Sequence, residues 1–333
     1  MEKAELNRRG LLAAIAAAGV GAAVPLAAGS ATAAAAEASD AEYVFLSIVT
    51  QVPFWVDHRA GLDAAAADLG VKTTFTGPLD FDTAGQARQL DELIARRPAG
   101  LLIFPGDAAA LAPGIDRAIE AGIPVACIIG DVPESKRTAF LGISNYDAGR
   151  VGGEMLAEAV GGKGKVLLGT FPAPSTLDRV RGYKDVFAEK YPEIEVVDVV
   201  NDKADPSYAP TAYSQALQAH PDVVGIGGTD GDSGKGAALA VVELGKVGAV
   251  KIVAMDRNSD MLPYIADGTI DGAVAQKSWL ESYLAVHLLH WLHENKIQIV
   301  KDSAKAGINP LPDTVSTGVM RVTKANVAEF MSA

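Results

Sequence analysis

Cysteine, aromatic residues and positive charge are all scarce in this chain, and each shortage excludes a class of protein. Cys127 is the only cysteine among 333 residues, so an internal disulfide is impossible. The apolar sequence around it predicts an inert thiol in the core. Lysine and arginine together number 29 against 41 aspartates and glutamates, which gives a net charge of −12. Nucleic acids and anionic membrane surfaces need a basic face, so neither is an expected partner.

Long apolar runs are also lacking, except in the N-terminal segment, and no later segment suggests a membrane span. Residues 1–36 carry an Arg8–Arg9 pair, a run rich in alanine, leucine and glycine over 10–28, and small residues near their end. These features predict an export signal peptide and a soluble periplasmic protein. The motif "NRRGLLA" resembles a twin-arginine signal, although two of its positions depart from the usual pattern. The apolar run is almost long enough to anchor the chain, but the small-residue tail favours cleavage.

The rest of the chain alternates short β-branched runs with longer amphipathic stretches. Runs such as "YVFLSIV", "GLLIFP", "PVACIIGD" and "VKIVAMD" predict buried strands, and stretches such as "DTAGQARQLDELIARR" predict helices. Strands that are apolar throughout are typical of parallel sheets covered by helices on both faces. Because 333 residues exceed one ordinary core, we expect a protein of the α/β class with two doubly wound parallel-sheet lobes.

Several predicted strands end in a polar residue. Ligands of open α/β sheets bind beyond the carboxyl ends of the strands, so these residues are candidates for a shared site. They are Asp131 in "IIGD", Asp230 in "IGGTD", Asp256 in "VAMD" and Gln276 in "GAVAQ", together with Arg179 on the helix after "GKVLLGTF". Each has an ordinary alternative, because an aspartate can cap the next helix, an arginine can be solvated and a glutamine can simply end its strand.

Phe54 and Trp55 are adjacent in a predicted strand-to-helix loop, although aromatic residues make up only 6% of the chain. A bare indole in a surface loop is unfavourable, so the pair either fills the core or contacts a ligand. Carboxylates accept hydrogen bonds from hydroxyl groups, arginine donates in a fixed fork, and aromatic faces cover the C–H face of a sugar ring. The candidate residues therefore favour a neutral polyhydroxylated ligand.

The order of these motifs resembles the type I periplasmic solute-binding proteins of sugar ABC transporters, the ribose-, galactose- and allose-binding group. The matching segments include "VPFWVDHRAGLDAAAADLG", "AIEAGIPVACIIGDVPESKR", "STLDRVRGYKDVF" and "IVAMDRNSDMLPYIADGTIDGAVAQ", and the similarity extends from about Glu42 to "PDTVSTGVMRV". The resemblance implies a cleft between the lobes that captures a monosaccharide or polyol and delivers it to an ABC permease. We expect a monomer, with neither a cofactor nor a metal.

The resemblance also implies, position by position, which residues contact the ligand. The implied ligand-binding residues are Phe54, Trp55, Asp131, Arg179, Asp230, Asp256 and Gln276. Val52 and Phe104 stand where ribose-binding members have asparagine, and Val132 stands where they have arginine. We therefore expect the first-lobe part of the pocket to be more apolar than a ribose site, with Phe104 as a further ligand-binding residue.

The alternation and the resemblance together predict the boundaries of the lobes. The N-terminal lobe is expected to comprise residues 41–143 plus 277–305, and the C-terminal lobe residues 144–276 plus 306–333. The hinge would then have three crossings, near Ile143–Ser144, just after Gln276 and within "SAKAGINPLPD".

Alternatives to a simple sugar-binding protein stay open. A secreted glycosidase also flanks a sugar with paired carboxylates, but the candidates are expected on different lobes, and nothing in the sequence indicates a raised carboxyl pKa. The ligand-sensing core of a LacI-type repressor shares this fold, but an export signal stands where its helix-turn-helix would be. Within the solute-binding class, inositol or an autoinducer-2-like solute is an alternative to an aldose.

Overall fold

The structure is a computed structural model that describes residues 39–297 and 299–331. The export signal predicted for residues 1–36 therefore lies outside the described residues. The described part of the chain forms twelve strands and eleven helices. No helix in these ranges is both long enough and apolar enough to span a membrane.

Strands and helices alternate along most of the chain. In chain order the strands are β1 (Glu42–Leu46), β2 (Lys72–Thr76), β3 (Gly100–Ile103), β4 (Val125–Ile128), β5 (Ala139–Gly142), β6 (Lys163–Thr170), β7 (Glu193–Asn201), β8 (Val223–Gly228), β9 (Lys251–Met255), β10 (Gly272–Ala275), β11 (Thr314–Ser316) and β12 (Met320–Thr323). The helices are α1 (Trp55–Leu69), α2 (Thr83–Arg96), α3 (Ala108–Glu120), α4 (Asn145–Val160), α5 (Pro174–Lys190), α6 (Ala209–Ala219), α7 (Ser233–Glu243), α8 (Leu262–Asp267), α9 (Ser278–His293), α10 (Ser303–Ala306) and α11 (Val327–Met331).

Two six-stranded sheets divide these strands between two lobes. The first sheet has the spatial order β11-β5-β4-β3-β1-β2 with all neighbours parallel. The second has the order β12-β10-β9-β8-β6-β7, parallel except for the antiparallel edge strand β12. Strands β1–β5 thus correspond one by one to β6–β10. The predicted fold class, two doubly wound parallel-sheet lobes, is confirmed.

The central strands are buried along their whole length, which explains their unbroken apolar sequences. Every residue of β3, β4 and β5 is buried, as is every residue of β10 in the second sheet. Helices cover both sheets, because α9 packs on β3, β4 and β5 while α4 packs on β8, β9 and β10. Cys127 in β4 is fully buried, and burial raises the pKa of its thiol to about 12, as expected of an inert core residue.

The chain passes between the lobes three times. It leaves the first sheet after Gly142 and enters α4 of the second lobe, and it returns after Ala275 into α9. The third passage corrects the predicted boundary at residue 306. Strand β11 pairs with β5, so the chain stays in the first lobe until Ser316 and reaches the second sheet only at Met320. A three-residue strand with two exposed positions is too short for its pattern to be assigned from the sequence.

Candidate functional site

A cavity lies between the lobes at the carboxyl ends of both sheets. Its lining residues bound about 410 Å³ of empty space, part of which is open to solvent. The first lobe contributes residues from the segments that follow β1, β3 and β4, and the second lobe contributes residues from the segments that follow β6 to β10. The lining residues are Val49, Val52, Phe54, Trp55, Phe104, Ile129, Phe171, Ser175, Thr176, Arg179, Ala204, Asp230, Gly231, Asp232, Asp256 and Gln276.

Seven of the eight predicted site residues line this cavity, and Asp131 does not. The carboxylate of Asp131 instead accepts hydrogen bonds from the guanidinium of Arg137, with 2.7 Å between Oδ2 and Nη2. Strand β4 ends at Ile128, so the next residue, Ile129, takes the place at the cavity wall. The assignment of Asp131 to the ligand site is therefore corrected, because the cavity begins two residues earlier than the polar residue that marked the strand end.

Arg179 is the cationic group of the site and is held rigidly in the second turn of α5. It is 3% exposed, and its Nε donates to Oδ1 of Asn145 at 2.9 Å while Nη1 donates to the carbonyl of Thr229 at 2.8 Å. Burial lowers its pKa, and the nearby Asp256 and Asp230 oppose that shift. Its remaining nitrogen, Nη2, finds no hydrogen-bond partner among the described residues. One donor of the fork is therefore left for a ligand.

Two glycines explain how Arg179 reaches its partner on α4. A Cβ atom at Gly149 of α4 would lie 2.1 Å from the carbonyl oxygen of Arg179, and one at Gly182 of α5 would lie 2.2 Å from the carbonyl oxygen of Tyr146. The two helix backbones are therefore in direct contact, which only glycine allows at these positions. This contact brings Asn145, the first residue of α4, beside the guanidinium. Gly182, three residues after Arg179 in "RVRG", is thus required by the packing of α5 against α4.

Asp256 and Gln276 form a buried pair at the ends of β9 and β10. Nε2 of Gln276 donates to Oδ1 of Asp256 at 2.8 Å. Burial raises the pKa of Asp256 to about 6, and Arg179 and the hydrogen bond from Gln276 oppose that shift. Oε1 of Gln276 has no partner within the described ranges. The pair therefore presents an unused acceptor to the cavity.

Asp230 combines the two roles that its sequence position left open. Its Oδ1 accepts from the backbone N–H groups of Asp232 and Ser233, both at 3.0 Å, at the start of α7. Burial and the charge of Asp230 raise the pKa of the adjacent Asp202, and the protonated carboxyl group of Asp202 donates a hydrogen bond to the carboxylate of Asp230. Burial and the charge of Asp230 together raise the pKa of the neighbouring Asp232 to about 8. Asp230 is thus both a helix cap and a carboxylate of the cavity wall.

These three carboxylates contradict two sequence-based expectations. Asp230, Asp232 and Asp256 all belong to the second lobe, whereas the carboxylates were expected on different lobes. Burial does raise the pKa of Asp232 and Asp256, although no sequence feature indicated this. Burial depends on the closure of one lobe over the other, which a local motif does not reveal.

The first lobe supplies an apolar wall. Trp55 begins α1 and is 2% exposed, with its ring centroid 5.6 Å from that of Phe45 and 5.7 Å from that of Phe104. Phe54 packs edge-on against it at 4.8 Å. The indole N–H of Trp55 has no acceptor in the described part of the chain. Trp55 is therefore part of the aromatic core and of the cavity wall, two roles that the sequence presented as alternatives.

Sequence reasoning missed several lining residues. They are Val49, Ile129, Phe171, Ser175, Thr176, Ala204, Gly231 and Asp232. Ser175 and Thr176 precede Arg179 on the same helix, so a search of the whole first turn of α5 could have found them. Val49, Ile129 and Phe171 carry no such signal, because an apolar residue at a strand end looks like one more strand residue. No set of three potential ligands within the described residues is placed to hold a metal ion.

Two doubly wound lobes around an interlobe cavity define a ligand-binding protein of the two-lobed type. The model of the periplasmic binding protein domain matches residues 43–296, and the chain belongs to that family. It is a substrate-binding protein and not an enzyme.

Individual relatives support the same family. The chain is 26% identical over 249 residues to the ribose import binding protein of Bacillus subtilis, covering 74% of this chain and 80% of that protein. It is 26% identical over 247 residues to the xylitol-binding protein of Mycolicibacterium smegmatis, covering 73% and 70%. The structure of AraP, an arabinose-binding protein of Geobacillus stearothermophilus, superposes with a TM-score of 0.72 at 33% identity, covering 88% of this chain and 99% of that one.

Proposed function

We propose that the protein captures a small neutral monosaccharide or polyol between its lobes and delivers it to an ABC permease. Unused donors and acceptors around one small cavity support this function most directly. Arg179 and Trp55 each offer a donor and Gln276 offers an acceptor, and none of these atoms has another partner in the described structure; the carboxylates of Asp230 and Asp256 line the same cavity. A hydroxyl group donates and accepts at once, so a polyol can satisfy both kinds. The aromatic wall would cover C–H surface of the same molecule.

The names of the relatives point to the same class of solute. Ribose, xylitol and arabinose, which appear in the names of three matched proteins, are all polyhydroxylated molecules of five carbons. The geometry of two cavity carboxylates also suits this function, because Asp256 is held by Gln276 and Asp230 by the start of α7. Such fixed partners suit binding of the ground state.

A screen for thermal stabilisation tests this function. The mature protein would be heated with a panel of monosaccharides, polyols and inositols, because a ligand that binds only the folded state raises the melting temperature. We expect stabilisation by at least one member, and calorimetry would then give its affinity. Incubation with glycosides serves as the control, and turnover of any glycoside would contradict a pure binding function. If no polyhydroxylated compound stabilises the protein, the proposed solute class is wrong.

Export to the periplasm as a monomer completes the proposal. The Arg8–Arg9 pair is the only charged recognition feature beside the apolar run, so we expect the twin-arginine route. The double substitution Arg8→Lys and Arg9→Lys should leave the precursor in the cytoplasm. Normal arrival of this variant in the periplasm would point to the general secretory route instead.

A further inference from the structure

The two lobes place different side chains at equivalent backbone positions around the cavity. Ile129 follows β4 and Asp256 follows β9, and these strands correspond in the two sheets. Both residues have a left-handed backbone, with φ of 68° and 70°. Both donate their N–H to the neighbouring strand, Ile129 to the carbonyl of Leu141 and Asp256 to that of Val274. The second lobe therefore carries a carboxylate where the first carries a butyl group.

The same contrast recurs at two further strand ends. Leu141 pairs with Ile128 and Val274 pairs with Met255, so Ile143 and Gln276, each two residues further on, are equivalent. Strands β3 and β8 likewise correspond, because β3 pairs with β1 and β8 pairs with β6. Pro105 and Asp230, each two residues beyond the end of its strand, are therefore equivalent. At all three positions the second lobe is polar and the first is apolar.

The backbone conformation at Ile129 is unusual for a residue with its side chain. A β-branched residue at positive φ is strained, whereas aspartate or asparagine tolerates this conformation. Strain of this kind marks positions where the side chain serves a site. Ile129 lines the cavity together with Val49, Val52 and Phe104. The apolar side chain of Ile129 thus occupies a position whose backbone conformation favours a small polar residue.

The wall that these residues form cannot satisfy hydroxyl groups. Six first-lobe residues line the cavity, namely Val49, Val52, Phe54, Trp55, Phe104 and Ile129. The only side-chain polar atom among them is the indole nitrogen of Trp55. A hydroxyl group buried against this wall would lose its water and gain at most one side-chain partner, which is unfavourable. The second lobe, in contrast, offers Arg179, Asp230, Asp256 and Gln276.

We propose that the solute is a deoxygenated sugar or polyol, with hydroxyl groups on the edge that faces the second lobe and C–H or methyl groups on the edge that faces Ile129 and Phe104. This inference rests on the proposed function, since it describes which polyhydroxylated molecule the cavity takes. A fully hydroxylated analogue of the same size would leave at least one hydroxyl group unpaired against the first-lobe wall.

Matched pairs of ligands test the inference by calorimetry on the mature protein. The pairs are D-ribose with 2-deoxy-D-ribose, L-mannose with L-rhamnose, and L-galactose with L-fucose, plus the strongest ligand of the thermal screen with its deoxy or hydroxylated counterpart. In each pair that binds, we expect the deoxygenated member to bind about tenfold more tightly, the effect of one unpaired hydroxyl group.

The substitution Ile129→Asn should reverse this preference. Asparagine accepts the left-handed backbone, so the variant should fold, and its amide supplies partners for a hydroxyl group. Ile129→Val, which stays apolar and β-branched, is the matched control and should keep the wild-type preference. If Ile129→Asn does not fold, the ligand pairs on the wild type decide alone.

Two results would overturn the inference, and they are distinguishable. If the fully hydroxylated members bind as tightly as the deoxygenated ones or more tightly, the solute class is wrong although the sugar-binding function stands. If no sugar or polyol binds at all, the proposed function fails and this inference fails with it.

Discussion

The two lobes of this protein share a fold and differ in the chemistry of the surface that they present to the cavity. The second lobe places Arg179, Asp230, Asp256 and Gln276 at the cavity, each with at least one polar partner within the described structure. The first lobe places aromatic and aliphatic side chains at the matching edge. Similar backbones with different side chains therefore give one cavity a polar half and an apolar half.

Because of this difference, mutations in the two lobes should differ in their effects on ligand affinity and on stability. Polar residues of the second lobe are fixed before a ligand arrives, so their loss should reduce affinity more than stability. Aromatic residues of the first lobe are also core residues, so their loss should reduce both. The following four predictions, in order of decreasing effect, test this division.

Trp55→Ala should destabilise the protein by about 3–5 kcal/mol, because it leaves a cavity within an aromatic cluster of the core. It should also weaken ligand binding, since the ring lines the cavity. Chemical denaturation and calorimetry measure the two effects. Trp55→Phe should abolish the ligand-induced change in fluorescence, whereas Trp279→Phe, at a position that is 38% exposed, should not. Lost stability with unchanged affinity and an unchanged fluorescence response would make Trp55 a core residue alone.

Arg179→Ala should weaken binding by about 2–4 kcal/mol, because it leaves polar groups of the ligand unpaired in a buried site. Calorimetry with the strongest ligand of the screen measures the loss. Arg181→Ala is the matched control, since Arg181 lies on the same helix with an exposed side chain. Equal affinities for wild type and Arg179→Ala would remove the arginine from the site.

Stability should depend on pH through the second-lobe carboxyl groups. The pKa of Asp232 is about 8 in the folded protein against 3.8 in its unperturbed state. The native state therefore keeps a proton that the unfolded state has lost, and stability falls as pH rises towards 8. Relative to Asp232→Asn, the wild type should lose about 1.5 kcal/mol between pH 6.5 and pH 8. Above pH 6.5 the buried His58, whose pKa is lowered to about 3, does not interfere.

Chemical denaturation of both proteins without ligand measures this difference. Asp222→Asn is the control, because Asp222 is exposed, pairs with Lys165 and does not act on Asp232. A constant difference between wild type and Asp232→Asn across this pH range would show that Asp232 is ionised in the folded protein.

The smallest effect concerns an ion pair across the cleft. Asp57 of α1 in the first lobe lies 2.8 Å from Arg257 of the second lobe, and both side chains are partly exposed. Such a pair contributes less than about 1 kcal/mol, so Asp57→Asn should weaken the closed state and lower the affinity by a few-fold. Asp63→Asn, at an exposed position of the same helix, is the control. An unchanged affinity in Asp57→Asn would show that this pair does not favour closure.

The sequence was sufficient for the fold class and for Arg179, Asp230, Asp256 and Gln276, but not for the other polar residues of the cavity. Parallel strands covered on both faces have unbroken apolar sequences, and a polar residue at the end of such a strand stands out, as Asp230, Asp256 and Gln276 do. Strand β11 could not be assigned, because three residues with two of them exposed have no pattern.

The apolar half of the cavity could be predicted only in part, because Phe54, Trp55 and Phe104 were expected there and Ile129 was not. The hydrocarbon of Ile129 at the end of β4 is indistinguishable in sequence from a residue within the strand. The next carboxylate, Asp131, was therefore assigned to the ligand site. In the structure it pairs with Arg137 and does not line the cavity. A left-handed backbone at a non-glycine residue, which identifies Ile129, becomes visible only in three dimensions.

A crystal structure with the strongest ligand of the screen tests the central claim most directly. We expect the solute inside the interlobe cavity, with its hydroxyl groups within hydrogen-bond distance of Arg179, Asp230, Asp256 and Gln276, and with C–H groups against Phe104 and Ile129. A ligand bound outside this cavity, or one whose hydroxyl groups face the first-lobe wall, would contradict the division of chemistry between the two lobes.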